Sequence, residues 1–419
     1  MTQLEMAIAG RTSEEMLRVA GSENMGAVEL RERVRRGLVV VPFNPNHRGL
    51  VPVGIGEGLR TKVNANIGTS PSRCSVEAEL RKLRAALDAG ADTVMDLSIG
   101  GDLDAIRRAI IEHCSVPLGT VPIYQAAIEN GGPEAMTLEA YLTVLERHAR
   151  DGVDFATVHA GVTREAIPLL KKRLMGVVSR GGAFLVKWMM AHRKQNFLYE
   201  HFDEVLAIAC RHDVTLSLGD GLRPGCIEDA TDEAQIHELG VLGELAERCR
   251  QSGVQVMIEG PGHIPLHEIE RNVQLAKKYC KSAPFYVLGP LPTDIAPGYD
   301  HIVGAIGGAL AAKAGAAFLC YITPMEHVGL PDEESVRAGV VVARIAAHVG
   351  DLAKGIRGAR DIDRRMSEAR TRRDWDGMQK CALDPALFAR LLNGEDRSDQ
   401  CSMCGKYCAL KMFWSAFEG

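Results

Sequence analysis

The order of apolar and polar positions repeats along the middle of the chain. Between about residues 59 and 345, a short β-branched or apolar run ends in a polar or glycine-containing tip and is usually followed by a helical segment. Apolar strands that alternate with helices indicate a parallel sheet that is buried on both faces. The runs end at positions 64–68, 95–98, 119–122, 157–161, 178–181, 217–221, 257–262, 286–290 and 320–324. Eight or so such units favour an α/β fold of the (β/α)8 TIM-barrel type over an open sheet, and one of the nine runs is then surplus.

The segments on either side of this repeat have a different pattern. Residues 1–58 contain the sequence Thr12-Ser13-Glu14-Glu15, which resembles a capping box, and several glycine- or proline-containing turns. We therefore predict an N-terminal element of helices and turns. Residues 346–419 are helical and basic in pattern and end in a group of cysteines. The predicted organisation is an N-terminal element over 1–58, a (β/α)8 catalytic barrel over 59–345 and a helical C-terminal region over 346–419.

Composition and charge limit the class of protein. With 46% hydrophobic and 25% charged residues, the 419-residue chain has an ordinary globular composition. Its 49 basic and 54 acidic residues give a net charge of −5, which indicates neither a nucleic-acid-binding stripe nor attraction to an anionic membrane. The longest apolar run, 302–312, is shorter than the ~20 residues of a membrane-spanning helix. The first residues lack the pattern of a secretion signal, so we expect a cytoplasmic protein with no membrane or nucleic-acid partner.

Polar side chains are concentrated at the ends of the predicted strands. In a barrel of this type these ends converge on one pocket. They supply an amide, an imidazole, a hydroxyl, two guanidinium groups and two carboxylates: Asn66, His159, Ser179, Arg180, Asp220, Arg223 and Glu259. The sequence SRGG at 179–182 suits a phosphate group, because arginine matches phosphate oxygens and glycines let backbone amides approach. Any one of these residues is as often a simple cap or turn residue, but their combination predicts a binding site.

Two histidines and three cysteines are candidate metal ligands. His263 and His327 follow strand ends, where imidazoles commonly hold a divalent metal, although most of the 13 histidines must be ordinary surface or core residues. Cys401, Cys404 and Cys408 have the spacing C-x2-C-x3-C, whereas the other eight cysteines are scattered singly. Three thiolates can hold three irons of a 4Fe-4S cluster and leave the fourth iron open to a small molecule. A zinc site completed from elsewhere and uncoordinated thiols are the alternatives.

Several long motifs resemble one known enzyme family. They are KVNANIG at 62–68, GTVPIYQ at 119–125, SLGDGLRPG at 217–225, IEGPGH at 258–263, TDIAPGYDH at 293–301 and the terminal cysteine group. Over roughly residues 25–412, the chain resembles the phosphomethylpyrimidine synthase family of thiamine biosynthesis. This family of radical S-adenosylmethionine enzymes has a close relative, 5-hydroxybenzimidazole synthase.

The resemblance implies an activity and its cofactors. The expected enzyme is a carbon–carbon lyase that converts 5-aminoimidazole ribotide to 4-amino-5-hydroxymethyl-2-methylpyrimidine phosphate. The alternative product is 5-hydroxybenzimidazole, a lower-ligand base of cobamides, which are the vitamin B12 group of cofactors. Ile99, at a position where the family usually has threonine, fits that branch. A reduced 4Fe-4S cluster would donate one electron to S-adenosylmethionine to start the reaction. A metal-dependent hydrolase and a non-enzymatic ligand-binding barrel with a zinc-bound tail are the rival hypotheses.

The resemblance also implies the roles of individual residues. The ligands of the 4Fe-4S cluster would be Cys401, Cys404 and Cys408. These three cysteines and Glu259 would be the catalytic residues. The ligands of zinc or another divalent metal would be His263 and His327. The implied partners are a second copy of the chain in a homodimer and an electron donor such as flavodoxin or ferredoxin. The implied substrate contacts are Asn66, Met95, Tyr124, His159, Ser179, Arg180, Gly181, Asp220, Gly221, Leu222, Arg223, Glu259 and Tyr286.

Overall fold

The computed structural model describes residues 1–392 and 403–417. The chain forms two compact units, Met1–Lys354 and Gly355–Gly419. Within the described residues, no helix combines the length and apolar character that crossing a membrane would require.

The N-terminal element of the first unit consists of three helices and a two-stranded antiparallel sheet. Their bounds are α1 Gln3–Ile8, α2 Glu14–Ser22, α3 Ala27–Arg35, β1 Val39–Val40 and β2 Ile55–Gly56. Ser13 caps α2 by accepting a hydrogen bond from the N–H of Met16, whereas the reciprocal capping box forms at Thr2 and Glu5. The sequence pattern did not predict the small sheet, because two-residue strands are too short to show an alternation.

Eight parallel strands in the first unit close into a barrel, in which the last strand pairs with the first. The strands are β3 Lys62–Ile67, β4 Thr93–Asp96, β5 Leu118–Thr120, β6 Phe155–Val158, β7 Thr215–Leu218, β8 Val256–Gly260, β9 Phe285–Leu288 and β10 Phe318–Cys320. Nearly every strand residue is buried, as expected for a parallel sheet covered on its outer face by helices. The predicted (β/α)8 fold is confirmed.

Helices follow the strands and surround the barrel. Their bounds are α4 Val76–Asp88, α5 Leu103–His113, α6 Pro122–Glu129, α7 Leu138–Asp151, α8 Arg180–His192, α9 Phe197–Glu200, α10 Phe202–His212, α11 Glu233–Gln251, α12 Leu266–Tyr279, α13 Asp300–Ala314 and α14 Glu333–Lys354. The last of these helices spans the boundary that we predict between 345 and 346, and the first compact unit ends with it.

The surplus run of the sequence pattern is the one that ends at 178–181. It forms no strand, because Ser179 is the N-cap of α8 and its hydroxyl accepts a hydrogen bond from the N–H of Gly182. The other eight runs are the eight barrel strands.

Aromatic rings fill the interior of the barrel. Phe155 and Phe318 meet edge to face with 6.4 Å between ring centroids, and Tyr286 stacks on Phe318 at 4.1 Å. A Cβ atom on Gly119 would lie 2.2 Å from the Phe155 ring, so this strand position requires glycine. The packed rings give the carboxyl end of the barrel a rigid base.

The second unit is helical. Its described helices are α15 Ala359–Arg372, α16 Trp375–Cys381, α17 Pro385–Leu391 and α18 Ala409–Phe417, and a short 3-10 turn spans Gly405–Tyr407. Cys404 and Cys408 flank this turn, while Cys401 lies outside the described residues.

Candidate active site

A cavity with about 500 Å³ of empty space is formed by residues at the carboxyl ends of the barrel strands and in the segments that follow them. Its wall includes eight of the substrate contacts implied by the resemblance: Asn66, Met95, Tyr124, His159, Asp220, Arg223, Glu259 and Tyr286. Residues that the sequence interpretation did not select complete the wall: Leu97, Val121, Thr157, Gly260, Val287, Leu288 and Cys320.

Glu259 is held at the end of β8 by two hydroxyl groups. Thr157 on β6 and Ser217 on β7 both donate to its Oε1 atom, each at 2.7 Å. Burial raises the pKa of Glu259, and the two hydroxyls and the nearby Arg223 oppose this shift. Since Oε1 already accepts two hydrogen bonds, Oε2 is the oxygen that remains for a ligand in the cavity.

Asp220 and Arg223 form an ion pair that lies just beyond β7. Nη1 of Arg223 donates to Oδ1 of Asp220 at 3.1 Å. Burial nevertheless raises the pKa of Asp220 to about 7. The guanidinium group of Arg223 opposes this shift, and Glu259 adds a smaller increase. Among the described residues, Oδ2 of Asp220 has no hydrogen-bond partner. The carboxyl group therefore changes its charge near neutral pH.

His159 follows β6 and is buried in the wall of the cavity. Its Nε2 atom is 3.3 Å from the hydroxyl of Ser179, and its Nδ1 atom has no partner among the described residues. Burial, with a smaller contribution from Arg223, lowers the pKa of His159 to about 3. The imidazole is therefore neutral at physiological pH and offers its second nitrogen as a donor or acceptor.

The opposite wall consists of groups that stay uncharged. Asn66 donates to Sγ of Cys320 at 3.2 Å, and the hydroxyl of Tyr286 donates to the sulfur of Met95 at 3.6 Å. Burial raises the pKa of Cys320 to about 12, so this group is a neutral thiol. The only feature of the sequence that pointed to Cys320 was its position at the end of a predicted strand.

Arg180 and Tyr124 connect this cavity to a second one. The guanidinium carbon of Arg180 lies 4.8 Å from the ring centroid of Tyr124. Arg180 lines an adjoining space of about 1280 Å³ that shares Asn66 with the first cavity. Ile99 lies in the wall of this second space.

The remaining implied substrate contacts lie behind the cavity wall. Ser179, the N-cap of α8, and Gly181, in its first turn, are buried beside the imidazole of His159. A Cβ atom on Gly221 would lie 2.3 Å from the side chain of Val162. The side chain of Leu222 is fully buried, so this residue presents only its backbone to neighbouring polar groups.

His263 and His327 come together with their ring centroids 5.3 Å apart. Nδ1 of His263 is 2.7 Å from Oδ1 of Asp294, and Nδ1 of His327 is 2.8 Å from Oδ1 of Asp300. Carboxylates that accept from Nδ1–H leave the Nε2 lone pair for a metal, so the pair fits two ligands of a divalent ion. Among the described residues, no cluster of three or more histidine, cysteine, aspartate or glutamate side chains is arranged to hold a metal.

In the second unit, Cys404 and Cys408 have the chemistry of cluster ligands. The backbone N–H groups of Lys411 and Leu410, in the first turn of α18, lower the pKa of Cys408, and the side chain of Cys404 adds to this effect. A lowered pKa favours the thiolate, which is the form that binds iron.

The solved structures that match this chain are distant from it in sequence. A dihydropteroate synthase from Xanthomonas albilineans is 12% identical with a TM-score of 0.44, and the match covers 76% of this chain and 100% of that chain. A dihydropteroate synthase from Thermus thermophilus is 15% identical with a TM-score of 0.44, and the match covers 75% of this chain and 100% of that chain.

Relatives at the level of sequence are much closer. A phosphomethylpyrimidine synthase from Caldanaerobacter subterraneus subsp. tengcongensis is 56% identical over 98% of this chain and 97% of the relative. Enzymes of the same name from Thermoanaerobacter sp. (strain X514) and Dehalococcoides mccartyi are 55% and 54% identical, with the same coverage. The family described as Radical SAM ThiC matches residues 2–415. This chain, with its closed barrel and polar cavity, therefore belongs to the Radical SAM ThiC family.

Proposed function

We propose that this protein is a phosphomethylpyrimidine synthase, a lyase that converts 5-aminoimidazole ribotide to 4-amino-5-hydroxymethyl-2-methylpyrimidine phosphate for thiamine biosynthesis. The observation that carries the proposal is the convergence of eight implied substrate contacts on one cavity at the carboxyl end of the barrel. The close relatives of the same name, which match almost the whole chain, support it.

The residues of the cavity suit a ribotide. Neutral His159 and the amide of Asn66 form hydrogen bonds without adding charge. Asp220 and Glu259 accept hydrogen bonds from hydroxyl and amino groups of the substrate. Arg180 and the backbone around Gly181, at the start of α8, bind the phosphate group, because a helix N-terminus and a guanidinium group both favour an anion.

Glu259 is the proposed acid–base group. Its Oε1 atom is occupied by Thr157 and Ser217, so a proton is taken up or released at Oε2. Burial raises its pKa above the ordinary value, which is the direction that suits a carboxyl group exchanging protons in catalysis.

Cys401, Cys404 and Cys408 are the proposed ligands of a 4Fe-4S cluster. The partly exposed position of Cys408 and its lowered pKa fit a metal-binding thiolate. When bound, the cluster supplies one electron for the cleavage of S-adenosylmethionine. His263 and His327, each with Nδ1 held by a carboxylate, are the proposed ligands of zinc or another divalent metal.

The wider organisation completes the proposal. The three parts are the N-terminal element at 1–58, the catalytic barrel at 59–345 and the C-terminal helical region at 346–419 with its cluster-binding loop. The enzyme acts as a homodimer in the cytoplasm and takes electrons from flavodoxin or ferredoxin.

The alternative product is 5-hydroxybenzimidazole. Ile99 favours it, because an apolar side chain replaces the usual hydroxyl in the wall of the space next to the substrate cavity. The name of the close relatives favours the pyrimidine phosphate.

A product assay separates the two candidates. The anaerobically reconstituted protein is incubated with 5-aminoimidazole ribotide, S-adenosylmethionine and a reductant, and the product is identified by its mass. We expect the hydroxymethylpyrimidine phosphate, and the mass of 5-hydroxybenzimidazole would overturn the assignment.

Cysteine variants test the radical chemistry. Cys404→Ala should abolish turnover while the far-UV circular dichroism spectrum stays that of the wild type. Cys381→Ala in α16 is the matched control and should keep its activity. A fully active Cys404→Ala variant would instead support the metal-dependent hydrolase.

A further inference from the structure

The segment from Asp220 to Arg223 supplies two charged groups to the substrate cavity, but the structure of the segment depends on residues outside the cavity. Leu222 lies between these groups, and its side chain is fully buried. Its peptide groups therefore need polar partners inside the protein, because an unpaired buried N–H or C=O group is costly.

Two buried side chains, one with a carboxyl group and one with a guanidinium group, supply these partners. Oε2 of Glu238 accepts a hydrogen bond from the N–H of Leu222 at 2.8 Å. Nη2 of Arg173 donates to the carbonyl oxygen of Leu222 at 2.6 Å, and its Nη1 donates to the carbonyl oxygen of Arg223 at 3.3 Å. Only 2% of Glu238 and 9% of Arg173 are exposed, so water cannot easily replace either contact.

Both partners are anchored to the start of α11. Glu238 lies in the second turn of this helix. Asp232 is the N-cap of the same helix and holds Arg173 through two hydrogen bonds, to Nε at 2.7 Å and to Nη2 at 2.8 Å. One rigid helix end therefore determines the position of both groups that hold Leu222.

Close packing prevents the segment from shifting away from these contacts. A Cβ atom on Gly182 would lie 2.0 Å from the carbonyl oxygen of Gly221. Burial raises the pKa of Glu238 well above its ordinary value, and the carboxyl group of Asp220 raises it further. The backbone before Leu222 is thus enclosed between α8 and α11.

We propose that Glu238 and Arg173 are positioning residues of the substrate cavity, which hold the Leu222 backbone and so fix Asp220 and Arg223 for binding the ribotide. The inference rests on the proposed function, since the ribotide is the substrate that these groups would meet. Neither residue lines the substrate cavity, although Glu238 shares a smaller neighbouring cavity with Asp220 and Glu259. We assign their effect on the substrate cavity to the segment that they hold.

The test compares variants of Glu238 with a matched control on the same helix. Glu238→Leu removes the acceptor for Leu222, whereas Glu238→Gln keeps an oxygen at that position. Gln235→Leu is the control, because Gln235 is also buried in α11 but makes its hydrogen bonds to Asn272 and Thr231. Binding of 5-aminoimidazole ribotide is measured by calorimetry on the reconstituted enzyme without reductant, and thermal unfolding is measured in parallel.

We expect Glu238→Leu to raise the Kd for the ribotide by about tenfold or more, since a small misplacement of binding groups is costly. Glu238→Gln should stay within about threefold of the wild type, and Gln235→Leu should lower the melting temperature without weakening binding. Equal ribotide binding by Glu238→Leu and the wild type, or equal losses in Glu238→Leu and Gln235→Leu, would overturn the proposal.

A second variant covers the case in which Glu238→Leu does not fold. In Arg173→Lys, a single ammonium group cannot hold both Asp232 and the carbonyl of Leu222 in the same geometry. The Kd for the ribotide should rise about fivefold or more, and an unchanged Kd in the folded variant would contradict the proposal. Failure of the wild-type enzyme to bind the ribotide would contradict the proposed function instead.

Discussion

Gly181 and His159 are packed so closely that a Cβ atom at position 181 would lie 2.3 Å from Cε1 of the imidazole. Gly181 is in the first turn of α8, so alanine at this position would ordinarily favour the helix. The glycine is therefore required by its neighbour and not by the backbone conformation. It lets the start of α8 approach a neutral histidine in the wall of the cavity.

Gly181→Ala should weaken ribotide binding by about tenfold or more, because the added methyl group must displace His159 from its position, at a cost of about 1–3 kcal/mol. Binding calorimetry and thermal unfolding measure the two effects. The control is Gly240→Ala in α11, where a Cβ atom would meet no atom within 4 Å. This substitution should slightly stabilise the helix. Wild-type affinity in Gly181→Ala would show that His159 can move without loss.

Removing the hydroxyl groups that donate to Glu259 should impair catalysis. Thr157→Val and Ser217→Ala each delete one donor to Oε1, and a hydrogen bond to a charged group is worth about 1.5–3 kcal/mol. Both hydroxyls lower the pKa of Glu259, so their loss should raise it further and move the acidic limb of the pH–rate profile to higher pH. The profile of kcat/KM measures this shift.

Thr157→Ser is the matched control for the hydroxyl group. It retains the donor and loses only a methyl group, so its pH–rate profile should resemble that of the wild type. A profile that is unchanged in Thr157→Val would mean that the protonation of Glu259 does not limit the reaction.

The sequence predicted the barrel because its periodic signal is strong. Each strand is a short apolar run that ends in a polar tip, and the eight strands coincide with eight of the nine runs. The run that ends at 178–181 was ambiguous, because two valines followed by serine, arginine and two glycines can end a strand or cap a helix. The hydrogen bond from Gly182 to Ser179 decides this in favour of the cap.

The site was predictable only where a residue type carries its own chemistry. Histidines, arginines and carboxylates at strand ends point to a cavity, whereas Thr157 and Cys320 look like ordinary strand residues. Glu238 is a charged residue on an outer helix, and such residues are usually exposed. Its burial against the backbone of Leu222 depends on the tertiary packing of two segments that no local pattern connects.

Asp220 should make the stability of the protein depend on pH. Its pKa is about 7 in the folded protein and about 3.9 in an unfolded chain. The folded state therefore binds more protons between these values, and the contribution of Asp220 to stability is lost as the pH rises from about 4 to about 7. Asparagine does not titrate, so Asp220→Asn removes this loss. The unfolding free energy of the variant relative to that of the wild type should therefore increase between about pH 4 and about pH 7, by up to about 4 kcal/mol.

Urea unfolding of the wild type and Asp220→Asn at pH 5 and pH 8 measures the difference. We expect the variant to gain stability over the wild type between the two conditions, although it loses the carboxylate that pairs with Arg223. Asp203→Asn is the control, since this carboxylate pairs with Arg248 at the surface. A difference between variant and wild type that stays constant with pH would show that Asp220 is ionised at both values.

Loss of the carboxylate beside either histidine should weaken binding of a divalent metal. Asp294→Asn and Asp300→Asn each replace the group that accepts from Nδ1–H of His263 or His327. An amide can instead donate to Nδ1, which favours the tautomer that has its proton on Nε2 and blocks the metal. Such partners typically contribute 10–100-fold to metal affinity, a range of about 1.4–2.7 kcal/mol.

Competition for Zn²⁺ with a chromophoric chelator measures this affinity without any need for turnover. Glu204→Gln is the matched control, because Glu204 makes the same kind of contact at 2.9 Å to His201 on the exposed surface. Both aspartate variants should release zinc to the chelator at concentrations where the wild type and the control retain it. If all four proteins retain zinc equally, the two carboxylates do not set the histidine tautomers, and if none binds zinc, the histidine pair is not a zinc site.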